Sequence, residues 1–351
     1  MHSGAKYRVL LILMLFLTAT NVMSDPLGLP AIPEELTGSP AMRQLGKKLF
    51  FDRGLSMNGT LSCAMCHIPD QGFTSNQSAL SVGMEGRSLR RNAPSLYNIA
   101  FKRYLFLDGR ETDLAAQVWG PLLAPDEMGN PAIGQVLSRL RKNSDYAADF
   151  NVAFPSEGVT MTTLGRAIAA YETTILRGDS RFDMAVFGGL TNQMTELEWL
   201  GFELFKSKGG CASCHIISDD TALFTDQIWH NTGVAFRDRN HAKTIKVELA
   251  KGIIKTIDPV ALGLGALSSR DVGRFEITNN PADRWSYITP LLRGIKETAP
   301  YMHDGSLKTL EEVVEFYDRG GGPNPELDEK IRPLNLTPKE KEAIVAFLKV
   351  L

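Results

Sequence analysis

Two five-residue stretches, CAMCH at residues 63–67 and CASCH at residues 211–215, share the pattern C-x-x-C-H and contain all four cysteines of the 351-residue chain. Two thiols at this spacing can add to the two vinyl groups of one haem, and the histidine that follows then lies beneath the iron as an axial ligand. The pattern therefore predicts two covalently attached c-type haems. The residues that would hold them are Cys63, Cys66 and His67 for the first haem, and Cys211, Cys214 and His215 for the second.

Two other kinds of site use cysteines at a similar spacing. Structural zinc sites do not usually place a histidine directly after the second cysteine, and they would need a further Cys/His pair nearby. A thioredoxin-like dithiol would follow a βαβ pattern, which neither stretch does. The duplication of the pattern and the lack of a spare cysteine favour haem attachment.

Residues 1–24 are typical of a signal peptide. Lys6 and Arg8 precede the unbroken apolar run VLLILMLFL at residues 9–17, and Ser24 suits a cleavage site. Such a run fits the core of a signal peptide, whereas spanning a bilayer takes about 20 residues. The alternative is an uncleaved membrane anchor, for which the run is short. We therefore expect export, to a bacterial periplasm, and a processed chain that does not span the membrane.

The two halves of the chain resemble each other. LGKKLF at residues 45–50 and LGFELF at residues 200–205 both place apolar residues at i, i+4 and i+5, on one face of a helix. TPKE at residues 337–340 predicts the start of a last helix, with an N-cap, a proline at the first position and a capping box. We therefore predict one duplicated unit, with an N-terminal domain at residues 25–185 and a C-terminal domain at residues 186–351.

Strand signals are sparse in both halves, and glycine and proline are frequent. The predicted fold class is therefore mainly α, with two cytochrome c-like haem domains and long irregular loops. Long loops need something to pack against, and a large cofactor supplies it.

The composition is that of an ordinary globular protein, with 43% hydrophobic and 22% charged residues. It excludes a disordered, collagenous or multi-spanning membrane protein. The 38 basic and 40 acidic side chains give a net charge of −2. This balance offers no general electrostatic reason to bind nucleic acid or an anionic membrane.

Several further motifs resemble those of the bacterial di-haem cytochrome c peroxidase and MauG family. They occur in order around the two haem motifs and cover essentially all of the chain after the predicted signal peptide, so together they are far more specific than any one of them. The resemblance implies a di-haem enzyme that reacts with H2O2. The motifs are RNAP at 91–94, FLDGR at 106–110, Gln117, GP at 120–121, PDEMG at 125–129, PLLRG at 290–294, TAPYMHDG at 298–305 and LEE at 310–312.

The resemblance also implies roles for residues around the first haem. Glu127 matches the acid–base residue that takes the proton from the near peroxide oxygen and delivers it to the departing one. Gln117 matches its polar neighbour, and Pro121 shapes the pocket. Many peroxidases cap the first iron with a histidine before the Arg-Asn pair, but residues 74–91 contain none, and we interpret Met84 there as packing or loop. The first haem is therefore expected to be open and five-coordinate.

A calcium ion between the two haem domains is a further implication of the resemblance. Asn92 and the backbone carbonyls of Thr298 and Pro300 match the family's calcium ligands. Oxygen ligands at so few positions leave room for water molecules, as calcium coordination allows.

The second haem's other axial ligand separates the branches of the family. Peroxidases place a methionine at the position where this chain has Tyr317, fourteen residues after His303. A tyrosine ligand there is similar to the MauG branch, because a phenolate is a hard anionic donor that favours Fe(III) and Fe(IV), whereas a thioether favours Fe(II). The alternative is that Tyr317 is a core tyrosine. For His230, His241 and His303 we expect ordinary surface or core roles.

Two positions depart from the MauG pattern. Leu107 stands where MauG has a tryptophan between its haems, and Gly209 stands where it has the surface tryptophan that faces its protein substrate. One of the tryptophans present could take over by a different route. These are Trp119, Trp199, Trp229 and Trp285.

Three functional hypotheses follow. The first is a MauG-type oxidase, which uses H2O2, or O2 and electrons, to reach a high-valent di-haem state and oxidises tryptophans in the precursor of methylamine dehydrogenase. The second is a cytochrome c peroxidase that reduces H2O2 with electrons from a small cytochrome c or cupredoxin. The third is a non-catalytic electron carrier, in which protein atoms hold both axial positions of each haem.

Overall fold

The computed structural model describes residues 26–239, 245–250, 253–257 and 271–351, with side chains for residues 26–236 and 271–351. The predicted signal peptide at residues 1–24 and His241 lie outside the described residues. No helix in the described ranges is both long and apolar enough to cross a membrane.

The prediction of a mainly helical fold is confirmed. The described part of the chain contains short helices joined by irregular segments, and its strands are confined to two small antiparallel pairs, β1 with β4 and β2 with β3. The helices are α1 (Glu34–Thr37), α2 (Pro40–Phe51), α3 (Cys63–Cys66), α4 (Leu114–Gln117), α5 (Trp119–Leu123), α6 (Ile133–Lys142), α7 (Ser144–Ala153), α8 (Met161–Glu172), α9 (Arg181–Val186), α10 (Glu196–Lys206), α11 (Val234–Arg239), α12 (Phe275–Thr278), α13 (Leu310–Asp318) and α14 (Pro338–Leu348). The strands are β1 (Trp229–His230), β2 (Ile245–Ala250), β3 (Ile253–Ile257) and β4 (Tyr287–Ile288).

The predicted start of the last helix is also confirmed. Thr337 is the N-cap of α14, and its hydroxyl accepts a hydrogen bond from the backbone N–H of Glu340 at 3.3 Å. The Glu340 carboxylate in turn accepts from the Thr337 N–H at 2.7 Å. Pro338 occupies the first helical turn, where a backbone donor is not needed.

Two helix pairs give the chain its internal symmetry: α2 packs against α8, and α10 packs against α14. Each pair crosses at a glycine. A Cβ atom on Gly46 would lie 1.8 Å from the backbone oxygen of Ala167, and one on Gly201 would lie 1.9 Å from that of Ala343. Only glycine permits the two backbones to approach so closely, so the same crossing is built twice.

Each helix pair has its own hydrophobic core. The first core is formed by residues between Leu45 and Ile175, and the second by residues from Phe182 to the C-terminus. Five phenylalanines in mutual contact dominate the second core, with ring centroids 5.2–6.4 Å apart. They are Phe182, Phe202, Phe205, Phe224 and Phe347.

An ion-pair network joins the segments between the two cores. Arg91 donates to the carboxylates of Asp108 and Asp271, with nitrogen–oxygen distances of 2.6 Å in both cases. Both carboxylates are almost fully buried. The segment that contains the RNAP motif is therefore fixed against residues from both halves of the chain.

Candidate di-haem site

Both C-x-x-C-H motifs adopt a single helical turn. Cys63–Cys66 forms α3, and Cys211–Ser213 forms a turn of 3-10 helix. The backbone N–H of each motif histidine donates to the carbonyl of the motif's first cysteine at 2.9 Å. The same local backbone thus presents two free, partly buried thiols and an imidazole at each site.

The two motif histidines are oriented in the same way. His67 Nδ1 lies 3.0 Å from the carbonyl oxygen of Phe73, and His215 Nδ1 lies 2.7 Å from that of Phe224. A carbonyl can only accept, so Nδ1 carries the hydrogen and Nε2 keeps its lone pair for a metal. Burial lowers the pKa of both imidazoles, which keeps them in the neutral form that an iron ligand requires.

A cavity of about 650 Å³ opens beside the second motif. Cys211, Cys214 and His215 line it, and Tyr317 from α13 lines it as well. Two thiols, an imidazole with a free Nε2 and a largely apolar cavity fit a covalently bound c-type haem. At the first motif, the thiols and imidazole have the same arrangement.

Tyr317 is partly buried and lies among the groups of the second haem site. Burial, and next the thiols of Cys211 and Cys214, raise the pKa of its phenol. Its ring contacts Phe316 at a centroid distance of 5.3 Å. Tyr317 thus lines the cavity and also packs against the small hydrophobic cluster of Val234, Leu307 and Phe316. Its role as an axial ligand stays a prediction.

The cavity extends towards the first domain. Thr74, Pro94 and Leu107 line it, together with Tyr287. The Leu107 carbonyl accepts a hydrogen bond from the Ile288 N–H at 3.0 Å, so this backbone is tied to β4. Leu107, at the position where the sequence departs from MauG, therefore lines the cavity beside the second motif.

Glu127, Gln117 and Pro121 lie on one continuous segment of the first domain. Gln117 ends α4, Pro121 is within α5, and Glu127 follows in the next loop. Burial, and next the Asp126 charge, raise the pKa of Glu127, while Arg110 opposes them. The Glu127 carboxylate also raises the pKa of the Cys66 thiol, as burial does to a larger extent. The segment thus places Glu127 beside the first motif.

Met84 supports the segment that carries Glu127. Met84 is 2% exposed, and its backbone N–H donates to the carbonyls of Asp126 and Glu127 at 3.1 Å. Its side chain lies against Gly129, where a Cβ would be 3.0 Å from the Met84 methyl. Met84 therefore has the packing role that the sequence suggested.

The three predicted calcium ligands line one cavity. Asn92, Thr298 and Pro300 all contribute to the cavity wall between the domains. The Asn92 amide donates to the carbonyl of Ala79 at 2.8 Å, so the amide's oxygen is left to accept or to bind a cation. Calcium at this place remains a prediction.

The sequence did not single out the surroundings of His230. Its imidazole lies between two carboxylates, 2.6 Å from Asp328 and 2.9 Å from Asp226. The Cys214 thiol, and next these carboxylates, raise the pKa of His230 to about 10. The i, i+4 spacing of Asp226 and His230 was a visible signal, but Asp328 comes from a remote part of the chain and only folding brings it here.

Trp229 is the tryptophan that lies beside the Leu107 segment. It packs against Gly109, where a Cβ would be 2.3 Å from the indole, and contacts Tyr104 at a centroid distance of 4.6 Å. The Arg274 guanidinium stacks 3.9 Å above the indole. A cation so close disfavours removal of an electron from this ring, so Trp229 is not a simple replacement for a tryptophan at position 107.

The family profiles and the relatives that this chain resembles indicate the same family. Residues 40–190 match the family profile described as di-haem cytochrome c peroxidase, and residues 286–320 match one described as RoxA-like, cytochrome c-like. The cytochrome-c peroxidase IdrP2 of Denitromonas iodatirespirans is 34% identical, over 92% of this chain and 84% of its own length. The methylamine utilization protein MauG of Methylorubrum extorquens is 33% identical, over 89% and 78% respectively.

Two solved structures share the fold over most of their length. A MauG-like protein associated with microbial copper homeostasis has a TM-score of 0.75 at 31% identity, covering 94% of this chain and 95% of that one. The di-haem peroxidase BthA from Burkholderia thailandensis has a TM-score of 0.71 at 25% identity, covering 90% and 87%. With two c-type haem motifs in matching geometry, this chain belongs to the di-haem cytochrome c peroxidase family of haem-dependent oxidoreductases.

Proposed function

We propose that this protein is a di-haem oxidase of the MauG type, which reduces H2O2, or O2 with added electrons, at the first haem and withdraws electrons from tryptophan side chains of a partner protein through the second. The observation that carries the proposal is the position of Tyr317, which lines the same cavity as His215 and the two cysteines of the second motif. A phenolate ligand stabilises oxidised iron, whereas the methionine of typical peroxidases raises the reduction potential.

The bound haems supply the redox-active iron, and the chain's own residues direct the protons. The Phe73 carbonyl holds the His67 imidazole in an orientation that leaves Nε2 free to bind the first haem iron. The Glu127 carboxylate, near the first motif, would accept a proton from bound H2O2 and donate it to the departing oxygen, which would leave as water. Such proton transfer contributes about 10²–10⁴-fold to a rate. Because burial raises the pKa of Glu127, the carboxyl group holds the transferred proton more readily than an exposed one does.

The tryptophan pair of a methylamine dehydrogenase precursor is the substrate that the MauG resemblance implies. A second function, reduction of H2O2 by a small cytochrome c or a cupredoxin, is favoured by a specific observation. Leu107 and Gly209 both line the cavity beside the second motif, and they stand at the positions where MauG has two tryptophans. The relatives named as cytochrome-c peroxidases, at 34% identity, support this second candidate equally.

Electron paramagnetic resonance of the ferric holoprotein, before and after one equivalent of H2O2, tests the proposal. We expect a high-spin ferric signal from the open first haem, and loss of the ferric signals on addition of peroxide. Tyr317→Phe should remove the long-lived oxidised state, while Tyr301→Phe, which also alters a cavity tyrosine, should retain it. A long-lived state that survives in Tyr317→Phe would contradict the ligand assignment.

Turnover assays separate the candidate functions. Oxidation of precursor tryptophans supports the MauG-type assignment. Steady oxidation of reduced cytochrome c by H2O2, with no oxidation of precursor tryptophans, supports the peroxidase. A resting protein without a high-spin ferric signal would be a fully ligated electron carrier and would contradict both enzyme assignments.

Two further assignments belong to this proposal. Export to the periplasm is supported by the apolar run at residues 9–17, and N-terminal sequencing of the mature protein should begin after Ser24. A bound Ca²⁺ is supported by the shared cavity wall of Asn92, Thr298 and Pro300. Metal analysis of the holoprotein should give one calcium per chain, and Asn92→Ala should lose it.

A further inference from the structure

A buried carboxyl group in the first domain has no partner. Glu172 is the last residue of α8 and is 6% exposed. Among the described residues, its carboxylate forms no hydrogen bond and no ion pair. An unpaired charge in such a place is costly unless the group takes up a proton.

The internal symmetry shows what Glu172 faces. The Gly46–Ala167 crossing of α2 and α8 corresponds to the Gly201–Ala343 crossing of α10 and α14. Counted along each helix from its alanine, Glu172 of α8 corresponds to Leu348 of α14. Leu348 lines the cavity of the second haem, so Glu172 is the residue that faces the first haem in the equivalent place.

The electrostatic surroundings of Cys63 agree with this placement. After burial, the Glu172 charge is the largest of the influences that raise the pKa of the Cys63 thiol, so the carboxylate lies close to the atom that joins the haem. The two haem sites therefore differ at one equivalent position, which is the ionisable Glu172 at the first site and the apolar Leu348 at the second.

The charges around Glu172 leave it uncompensated. Burial raises its pKa to about 8, with no contribution from a charged neighbour. The titratable groups that sense Glu172 are the Cys63 thiol, which the haem consumes, and the phenol of Tyr171. The charged groups on the elements packed against α8 either have other partners or are exposed. Arg43 donates to the carbonyls of Thr37 and Gly38, Lys48 pairs with Asp149, and Asp113 caps the N-terminus of α4. The exposed ones are Lys47, Glu34 and Glu35.

We propose that Glu172 is the proton-binding residue of the first haem: when this haem gains an electron from the donor, the Glu172 carboxylate binds one proton, and when the haem loses the electron, the proton is released. The added electron makes the pocket more negative, and in a buried site of low effective dielectric this favours protonation of the nearest carboxylate. No covalent bond other than the O–H bond forms or breaks. The proposal needs the first haem but not its reaction with peroxide, so a failure of the proposed function would leave it intact.

The test is the reduction equilibrium of each haem, measured by spectroelectrochemistry of the holoprotein from about pH 6 to about pH 10. If one proton is bound per electron, the equilibrium constant for reduction changes tenfold per pH unit. We expect this dependence at the first haem, in the pH range between the pKa of Glu172 when the haem is oxidised and its pKa when the haem is reduced. Glu172→Gln and Glu172→Leu should abolish this pH dependence. Glu172→Leu places at the first site the residue type that Leu348 supplies at the second. Glu157→Gln, at an exposed residue of the same domain that pairs with Arg166, should leave it unchanged.

A second measurement uses the wild-type protein alone. A pH-indicator dye should record uptake of about one proton per first haem reduced near pH 8, and an infrared difference spectrum should show a carboxyl C=O band appear with reduction. A pH dependence that persists in Glu172→Gln, or proton uptake without the carboxyl band, would overturn the proposal.

Discussion

The backbone oxygen of Ala343 lies only 1.9 Å from the point where Gly201 would carry a Cβ. Side chains cannot enter this crossing, because the nearest atoms belong to the backbone of α14 and not to a flexible side chain. The same contact recurs at Gly46 in the first domain. The helix that precedes each haem motif is thus held at a fixed distance from the helix that closes the domain.

Gly201→Ala should destabilise the C-terminal domain. Forced overpacking of this kind costs about 1–3 kcal/mol, and the free energy of unfolding from denaturant titration of the holoprotein measures it. Gly134→Ala in α6 is the matched control, because a Cβ there meets nothing within 4 Å. The control should be neutral or more stable by about 0.5–1 kcal/mol. Equal stability of Gly201→Ala and wild type would show that the crossing can relax.

Replacing Glu127 tests the assignment of the acid–base residue. Glu127→Gln keeps the shape of the side chain but removes the proton acceptor, so the rate of reaction with H2O2 should fall about 10²–10⁴-fold. Stopped-flow absorbance of the haems measures this rate. Asp126→Asn, at the adjacent carboxylate, should react at nearly the wild-type rate, and a similar loss in both variants would argue for a general electrostatic effect.

Glu127 should also set the pH below which the rate of reaction with H2O2 falls. The deprotonated form of Glu127 is the proton acceptor, and burial raises its pKa. Activity should therefore decline, as pH falls, at a higher pH than the usual glutamate value of about 4.3. Arg110 lowers this pKa, so Arg110→Gln should move the fall in rate to higher pH, whereas Arg110→Lys should move it less. An unshifted fall in Arg110→Gln would assign it to another group.

Tyr317→Met should raise the reduction potential of the second haem. A thioether favours Fe(II), whereas a phenolate favours Fe(III). Potentiometric titration measures the change, and Tyr301→Phe is the control, since Tyr301 lines the same cavity and donates to the carbonyl of Ile295 at 3.1 Å. A potential unaffected by Tyr317→Met would show that Tyr317 does not bind the iron.

The carboxylates around His230 predict a pH-dependent contribution to stability. The pKa of His230 is raised to about 10, first by the Cys214 thiol and next by Asp328 and Asp226. In the holoprotein, where the Cys214 sulfur is part of a thioether to the haem, the two carboxylates still raise the pKa of His230. Because the carboxylates keep the folded-state pKa of His230 raised, the contribution is complete below the unfolded value of about 6.5 and is lost as pH rises through the folded-state pKa.

Asp328→Asn should reveal this contribution. We expect a loss of about 2 kcal/mol below pH 6.5 and a smaller loss at higher pH, measured by thermal unfolding at each pH. Asp283→Asn, at a partly exposed carboxylate that accepts from the Thr278 hydroxyl, is the control. A loss that does not depend on pH would mean that His230 is neutral.

The sequence alone determined the cofactor and the class of fold. Two copies of C-x-x-C-H fix which atoms can join a haem, because the chemistry depends on neighbours within one helical turn. The apolar residues before each motif and the capping box at Thr337 are equally local, and the structure confirms the helices they predict. The two matching stretches also contain Gly46 and Gly201, but the sequence analysis used only their apolar residues.

Only the tertiary structure decided what surrounds each haem. The Ala167 and Ala343 carbonyls explain the two glycines, Asp328 pairs with His230, and Tyr317 reaches the cavity of a motif that lies far away in the chain. Glu172 reads as one more carboxylate at the end of a helix until the repeated crossing shows that it corresponds to Leu348, which lines the cavity of the second motif. Burial and long-range proximity set the ionisation of such groups, and neither is encoded in the spacing of nearby residues.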